Sequence, residues 1–292
     1  PPHECSSAAS DVYKRQGVKL VTRNIILPLW NSFSFFSTYA NADDITFEDL
    51  EKASPVEDRP MMDRWIISSM QSLIKTVNEK MENYYLYEVI PPLMNFVDEL
   101  TNWYVRSNRK RFWKEKDEND IDKINAFKTL HEVLLEFSKS MAPVLPFICE
   151  KIYQGLIEEN NESIHYCDYP EADENLIDKD LEDNIELAKK VIKSVRNLRV
   201  KLKLPNKQPL NSVKIITKDK EIEEKLNVIS DLIKNEVNVK EVLFDFDVDN
   251  WINYEFKPNF KVLGPKLGEQ INVLSEYLKN IDENISNDIL QG

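Results

Sequence analysis

The sequence predicts a mainly α-helical protein: a helical bundle followed by a small α/β domain. Three observations carry that prediction. Up to about residue 204 the apolar residues recur at helical spacing, and after Pro209 they alternate and become rich in β-branched and aromatic types. Only five glycines occur in 292 residues, which favours long helices with few tight turns. A chain of this length has room for about two domains and a sizeable core.

Residues 1–16, PPHECSSAASDVYKRQ, are unlike the rest of the chain, and their tail resembles translated sequencing-adapter text. They are expected to be a non-native leader outside the fold, with the natural start of the chain missing. From Val18, the residues Leu20, Val21, Ile25, Leu29 and Phe33 line one side of a helix that Pro28 kinks rather than ends. The polar stretch Asn41 to Pro60 reads as a loop. Asp63 then precedes Trp65, Ile66, Ile67, Met70, Leu73, Ile74 and Val77, placed to cap the helix they form. Pro91 and Pro92 break that pattern, and a new helix runs on through Leu93, Phe96, Val97, Leu100 and Tyr104. A charged connection, Lys116 to Asp122, leads to a helical stretch over Ile124 to Leu156, which Pro143 and Pro146 must interrupt. After a loop at His165 to Pro170, a long helix extends from Leu181 to about Leu204, with Leu187, Val191, Val195, Leu198 and Leu202 on its apolar face.

Beyond Pro209, the segments Ser212 to Thr217, Val239 to Phe244 and Trp251 to Phe256 read as strands, with a helix over Ile222 to Ile233 between the first two. Ile271 to Ile289 reads as a final helix. The chain is thereby expected to divide into a bundle over 17–208 and a compact α/β part over 209–292.

One stretch, NWYVRSNRKRFWK from Asn102 to Lys114, stands out from a protein whose formal net charge is -13. Arg106, Arg109, Lys110, Arg111 and Lys114 lie among Trp103, Tyr104, Phe112 and Trp113 with no acid between them. Cations hold phosphates, while rings and guanidinium planes stack on bases, so this composition suits a nucleic acid with unpaired bases. At about 100° per residue, Asn95, Asn102, Arg106, Arg109 and Trp113 share the face opposite the apolar one. The alternative is a solvated face with Trp113 under a neighbouring loop. A second run, Lys189 to Lys207, holds eight cations and no acid; Lys189, Lys193, Arg196, Arg199 and Lys203 are candidates for a second track. A lysine-rich solvent face balancing the acidic stretch Glu171 to Glu186 is the competing explanation.

Several chemistries find no support in the sequence. There is no GxGxxG or GxxxxGK pattern. Cys5, Cys149 and Cys167 are odd in number and without CxxC spacing, which fits a reducing compartment. No apolar run approaches the ~18 residues of a membrane span, and no secretory signal is evident. His3, His131 and His165 are scattered, and His131 reads as a partly buried structural imidazole. Nothing pairs a nucleophile with a base. On its residues alone the chain is a binding module, with no catalytic or metal-binding residue.

The segments DRWIISSMQSLI (63–74), LTNWYVRSNRKRFW (100–113), MAPVLPFICEKIY (141–153) and KPNFKVLGPKLG (257–268) occur in this order. Together they resemble the C-terminal region of the isoleucyl-tRNA synthetases of the type found in eukaryotes, archaea and some bacteria. RNLRVKLKLPNKQPL (196–210) is similar to the family's link from bundle to appended domain. The resemblance covers residues 17 to about 268; its first segment is shared with other class I synthetases, the second and fourth are more specific.

The resemblance implies that the bundle binds the anticodon stem-loop of an isoleucine tRNA. ATP with Mg, and Zn, would belong to catalytic and editing parts elsewhere in the ligase. The signatures His-Ile-Gly-His and Lys-Met-Ser-Lys-Ser are absent here, so this stretch alone is expected to be inactive. It implies Arg106, Arg109, Lys110, Arg111 and Lys114 on phosphates, Trp113 and less readily Trp103 on a base, and Asn102 on a base edge. The partners expected are that tRNA and the catalytic domain of the same chain, in a cytoplasmic monomer. A valyl or leucyl synthetase and a non-enzymatic helical scaffold are the alternatives.

Overall fold

The computed structural model describes residues 19–115, 120–158, 162–248, 251, 258–268 and 270–279. It divides into two compact units, residues 1–189 and 190–292. The division falls inside a long helix rather than at the 208/209 boundary expected from sequence.

The first unit is a helical bundle. A π-helical turn, Thr22–Ile26, runs directly into α1 (Leu27–Ala42), where Pro28 occupies the first turn. Pro28 cannot donate to the preceding turn, and the wider turn lets the helix continue through it. Ile25, Leu29 and Phe36 are buried, while Leu20 is exposed. Within the expected loop lies a short helix, α2 (Phe47–Glu51). Its start is fixed by a capping box: Asp49 N–H donates to Thr46 Oγ1 and Thr46 N–H to the Asp49 carboxylate.

Helix α3 (Met61–Glu82) begins at Pro60 with no side-chain cap. Asp63 therefore does not do what its position suggested. It is fully buried with Trp65, Ile66, Met70, Leu73, Ile74 and Val77, and its partner is a distant arginine described below. Helix α4 (Ile90–Asp98) continues without a break through a π-helical segment, Glu99–Val105, into α5 (Arg106–Trp113). Helix α6 (Ile121–Met141) starts on Asp120, whose carboxylate accepts from Lys123 N–H. It ends before Pro143, and α7 (Pro146–Gln154) restarts with proline in its first turn. Phe112 meets Phe127 edge-on at 5.0 Å and Phe35 at 5.1 Å, while Phe96 stacks on Phe137 at 5.5 Å. These rings tie α1, α5 and α6, and α4 to α6, into one core.

Helix α8 (Lys179–Lys201) enters that core through Leu181, Ile185 and Ala188. Its apolar face differs from the expected one: Ile192 and Val195 continue the buried row, whereas Leu198 and Leu202 are 54% and 66% exposed.

The second unit holds β1 (Leu210–Ile216), α9 (Lys220–Val228), α10 (Ser230–Val237) and β2 (Val239–Asp245). The two strands pair in parallel from Leu210↔Val239 to Ile216↔Asp245, joined by a helical crossover as parallel pairing requires. Leu226, Ile229, Ile233 and Val237 fill the space beneath. Asn238 ends α10 in a left-handed conformation (φ 54°), which asparagine tolerates. Of the expected third strand only Trp251 is described; 252–257 lie outside the described residues, as do 280–289 of the final helix, here α12 (Gln270–Lys279) after α11 (Phe260–Leu267).

Candidate nucleic-acid interface

The inward positions of the helix that carries the cationic stretch are Leu93, Val97, Leu100, Tyr104, Asn108 and Phe112, all buried. Their average spacing exceeds the 3.6 residues of an α-helical turn. The π-helical segment Glu99–Val105 takes up the difference, so that one side stays against the core for the whole length. The opposite side stays in solvent as well. Asn102, Arg106, Arg109, Lys110, Trp113 and Lys114 are all exposed, and Arg106, Arg109 or Lys110, and Trp113 succeed one another at the spacing of a single helix face. Trp113 is 54% exposed, and its ring lies 6.5 Å from that of Tyr39. Neither Arg109 nor Lys110 forms an ion pair among the described residues.

Two side chains lock this helix in that rotation. Phe112 is buried between Phe35 and Phe127. Arg111 turns inward and grips Asp63 with both ends of its guanidinium, Nη1 to Oδ1 at 2.7 Å and Nη2 to Oδ2 at 2.8 Å. Tyr104 O–H donates to the same Asp63 Oδ1 at 2.8 Å, and Arg111 Nη1 also reaches Asn108 Oδ1 at 3.0 Å. Asp122 completes the set through its carboxylate, 2.9 Å from Arg111 Nη2. Burial alone would lower the Arg111 pKa, but the Asp63 carboxylate outweighs it and raises it. Burial, and then Asp63, push the Tyr104 hydroxyl well above its ordinary value. The expectation that Arg111 faces phosphates is corrected: its charge is consumed inside the bundle. A single acid at a core position of an apolar run, as Asp63 is between Met62 and Trp65, was the legible sign that a buried cation would meet it.

Other expected residues are also engaged. Asn102 is exposed, but its amide donates to Asp98 Oδ1 at 2.6 Å. Trp103 is only partly exposed. Lys189 is buried and turned inward, its ammonium 4.5 Å from the Trp65 ring and 5.8 Å from that of Trp103, and bonded to Glu99. Burial raises the Glu99 pKa against the opposing pull of Lys189. His131 is the structural imidazole expected: Nε2 lies 2.7 Å from Leu156 O, and burial lowers its pKa.

In the second unit the cationic run splits. Lys193 and Lys203 are exposed, the latter with a left-handed backbone (φ 55°) at the end of α8. Arg196 pairs with Glu236. Arg199 is only 3% exposed and donates to four carbonyls, those of Pro205, Gln208, Val237 and Asn238 at 2.8–3.2 Å. It clamps the turn after α8 to the end of α10, which removes it from any surface track.

The anticodon-binding domain of tRNA ligase family matches residues 63–216, more than half of the chain. The chain belongs to that family. Both the cationic row of α5 and its Asp63 anchor lie within the match. Isoleucine–tRNA ligase of Clostridium novyi (strain NT) is 39% identical over 275 residues, 93% of this chain and 26% of that protein. Isoleucine–tRNA ligase of Treponema denticola is 37% identical over 291 residues, again 26% of its length, and that of Clostridium kluyveri is 38% identical over 275. The anticodon-binding chain thus spans about a quarter of the length of these relatives. Among its described residues, no group of His, Cys, Asp and Glu could hold a metal ion, and no helix is long and apolar enough to cross a membrane.

Proposed function

We propose that this chain is the tRNA-reading part of an isoleucine–tRNA ligase, and that α5 holds the anticodon stem-loop of its tRNA. The observation that carries the reading is the outward row Arg106, Arg109, Lys110 and Trp113, held in place by inward Arg111 and Phe112. The cations lie along phosphates and Trp113 stacks on a splayed base, worth roughly 1–3 kcal/mol. Lys193 and Lys203 are retained as secondary phosphate contacts. Arg111, Lys189 and Arg199 are assigned to structure instead, Trp103 is a weaker stacking candidate than Trp113, and Asn102 keeps its amide oxygen and its second N–H for a base edge while the first holds Asp98.

In this reading the anticodon-binding part extends over 17–208, with 209–292 as an appended part. The ligase to which it belongs joins isoleucine to tRNA with ATP and Mg, in parts of the protein outside this stretch, as a cytoplasmic monomer. Zn, likewise, is assigned to those parts.

Binding of the chain to two stem-loops that differ only in the anticodon tests the specific claim. The isoleucine anticodon is expected to bind on the order of tenfold more tightly, since one lost base-edge hydrogen bond costs about 1–1.5 kcal/mol. Equal affinities would leave an RNA-binding surface without an isoleucine anticodon reader.

A further inference from the structure

The end of α5 carries an ion pair that the RNA reading does not use. Lys114 is the residue at which the helix stops, and its backbone turns extended (φ −61°, ψ 142°). Its carbonyl is held by the buried Lys123 ammonium, which also pairs with Asp43 at 2.6 Å. The main chain at Lys114 is therefore pinned, while its four-carbon side chain reaches out. That side chain is 64% exposed, and its ammonium lies 2.6 Å from Asp120 Oδ2. Asp120 is the opposite case, its side chain 8% exposed and fixed as the N-cap of α6, where it accepts from Lys123 N–H. The neighbouring Lys114 ammonium holds its carboxyl below the usual carboxylate range, so it is an anion at neutral pH. An exposed cation beside the outward row thus rests on a buried, capped carboxylate.

We propose that Asp120 stands in for an RNA phosphate on Lys114, so that RNA binding exchanges one anion for another: Lys114 leaves the fixed carboxylate and takes a backbone phosphate. The inference rests on the reading of α5 as an RNA-binding helix. Lys114 is then a phosphate subsite whose affinity the protein keeps low from within. Phosphate contacts carry no sequence information, so the exchange weakens cognate and non-cognate RNA alike and restrains non-specific capture of polyanions.

Asp120→Asn isolates the charge, because asparagine caps a helix as well as aspartate does. Binding of the 292-residue chain to an isoleucine anticodon stem-loop, and to a hairpin with a scrambled loop, is measured across a salt series. The variant is expected to bind both hairpins more tightly, by up to about fivefold at low salt, the range of one exposed ion pair. Its plot of log affinity against log salt should steepen by up to about 0.7–0.9, because in the wild type the cation taken up by the freed Asp120 carboxylate offsets the counterion that the Lys114 phosphate releases, and asparagine takes up none. Adding Lys114→Ala to Asp120→Asn should cancel both gains. Asp120→Ser, which also preserves a cap, should reproduce them and guards against a fold defect in either variant. If the wild-type chain binds and Asp120→Asn changes neither affinity nor slope, the exchange is overturned and the reading of α5 stands. A gain that survives Lys114→Ala also overturns it. If the wild-type chain does not bind the anticodon stem-loop at all, both ideas fall together.

Discussion

The double variant Arg106→Glu/Arg109→Glu is expected to lose the anticodon stem-loop while remaining folded. Both side chains are exposed on the outward face of α5, and neither belongs to the Asp63 network that holds the helix. Each is assigned a charge-assisted contact to phosphate, worth about 1.5–3 kcal/mol. Losing two such contacts and gaining two repulsive charges should weaken binding by at least about 3 kcal/mol, on the order of 10²-fold. Helical circular dichroism and the thermal midpoint should change little, because surface substitutions of this kind usually shift stability by less than about 0.5 kcal/mol. Retained affinity would assign the exposed row to solvent alone.

Arg111→Ala is expected to produce the opposite outcome. The sequence places Arg111 in the same cationic run, yet its guanidinium is bound to a fully buried carboxylate. Removing it leaves Asp63 charged and unpaired in the core, which typically costs about 3–5 kcal/mol. For a domain of this size that lowers the thermal midpoint by on the order of 10 °C. Below that midpoint, RNA affinity should stay within a few-fold of wild type. Replacing Asp63 and Arg111 together by leucine should cost less than the sum of the single losses, because no buried charge is then left alone. Normal stability with lost RNA binding in Arg111→Ala would return that residue to the interface and contradict the structural account.

The contrast between Arg106 and Arg111 shows how far the sequence could be read. Helical periodicity is a local property, so the bundle, the βαβ crossover from β1 to β2 and the outward face of α5 were legible. The destinations of Arg111, Lys189 and Arg199 were not, because they depend on partners far along the chain. Asp63 is 48 residues from Arg111, Glu99 is 90 from Lys189, and the carbonyls that hold Arg199 reach to Asn238. Of these partners, only Asp63 left a sign in the sequence. The misplaced apolar face of α8 has a similar cause: Lys189 and Arg199 bury their charges among partners, while Leu198 and Leu202 face solvent. The short helix α2 was overlooked because a single capped turn has too few positions to show a period.

The central claim is that α5 grips RNA through its charges, and a salt series on the wild-type chain with the isoleucine anticodon stem-loop tests it most directly. With Arg106, Arg109 and Lys110 each neutralising a phosphate, log affinity should fall against log salt with a slope of about −2 to −3. The same series on Arg106→Glu/Arg109→Glu should be nearly flat. A flat response from the wild type, or an equal slope in both proteins, would mean that this helix does not touch the RNA backbone.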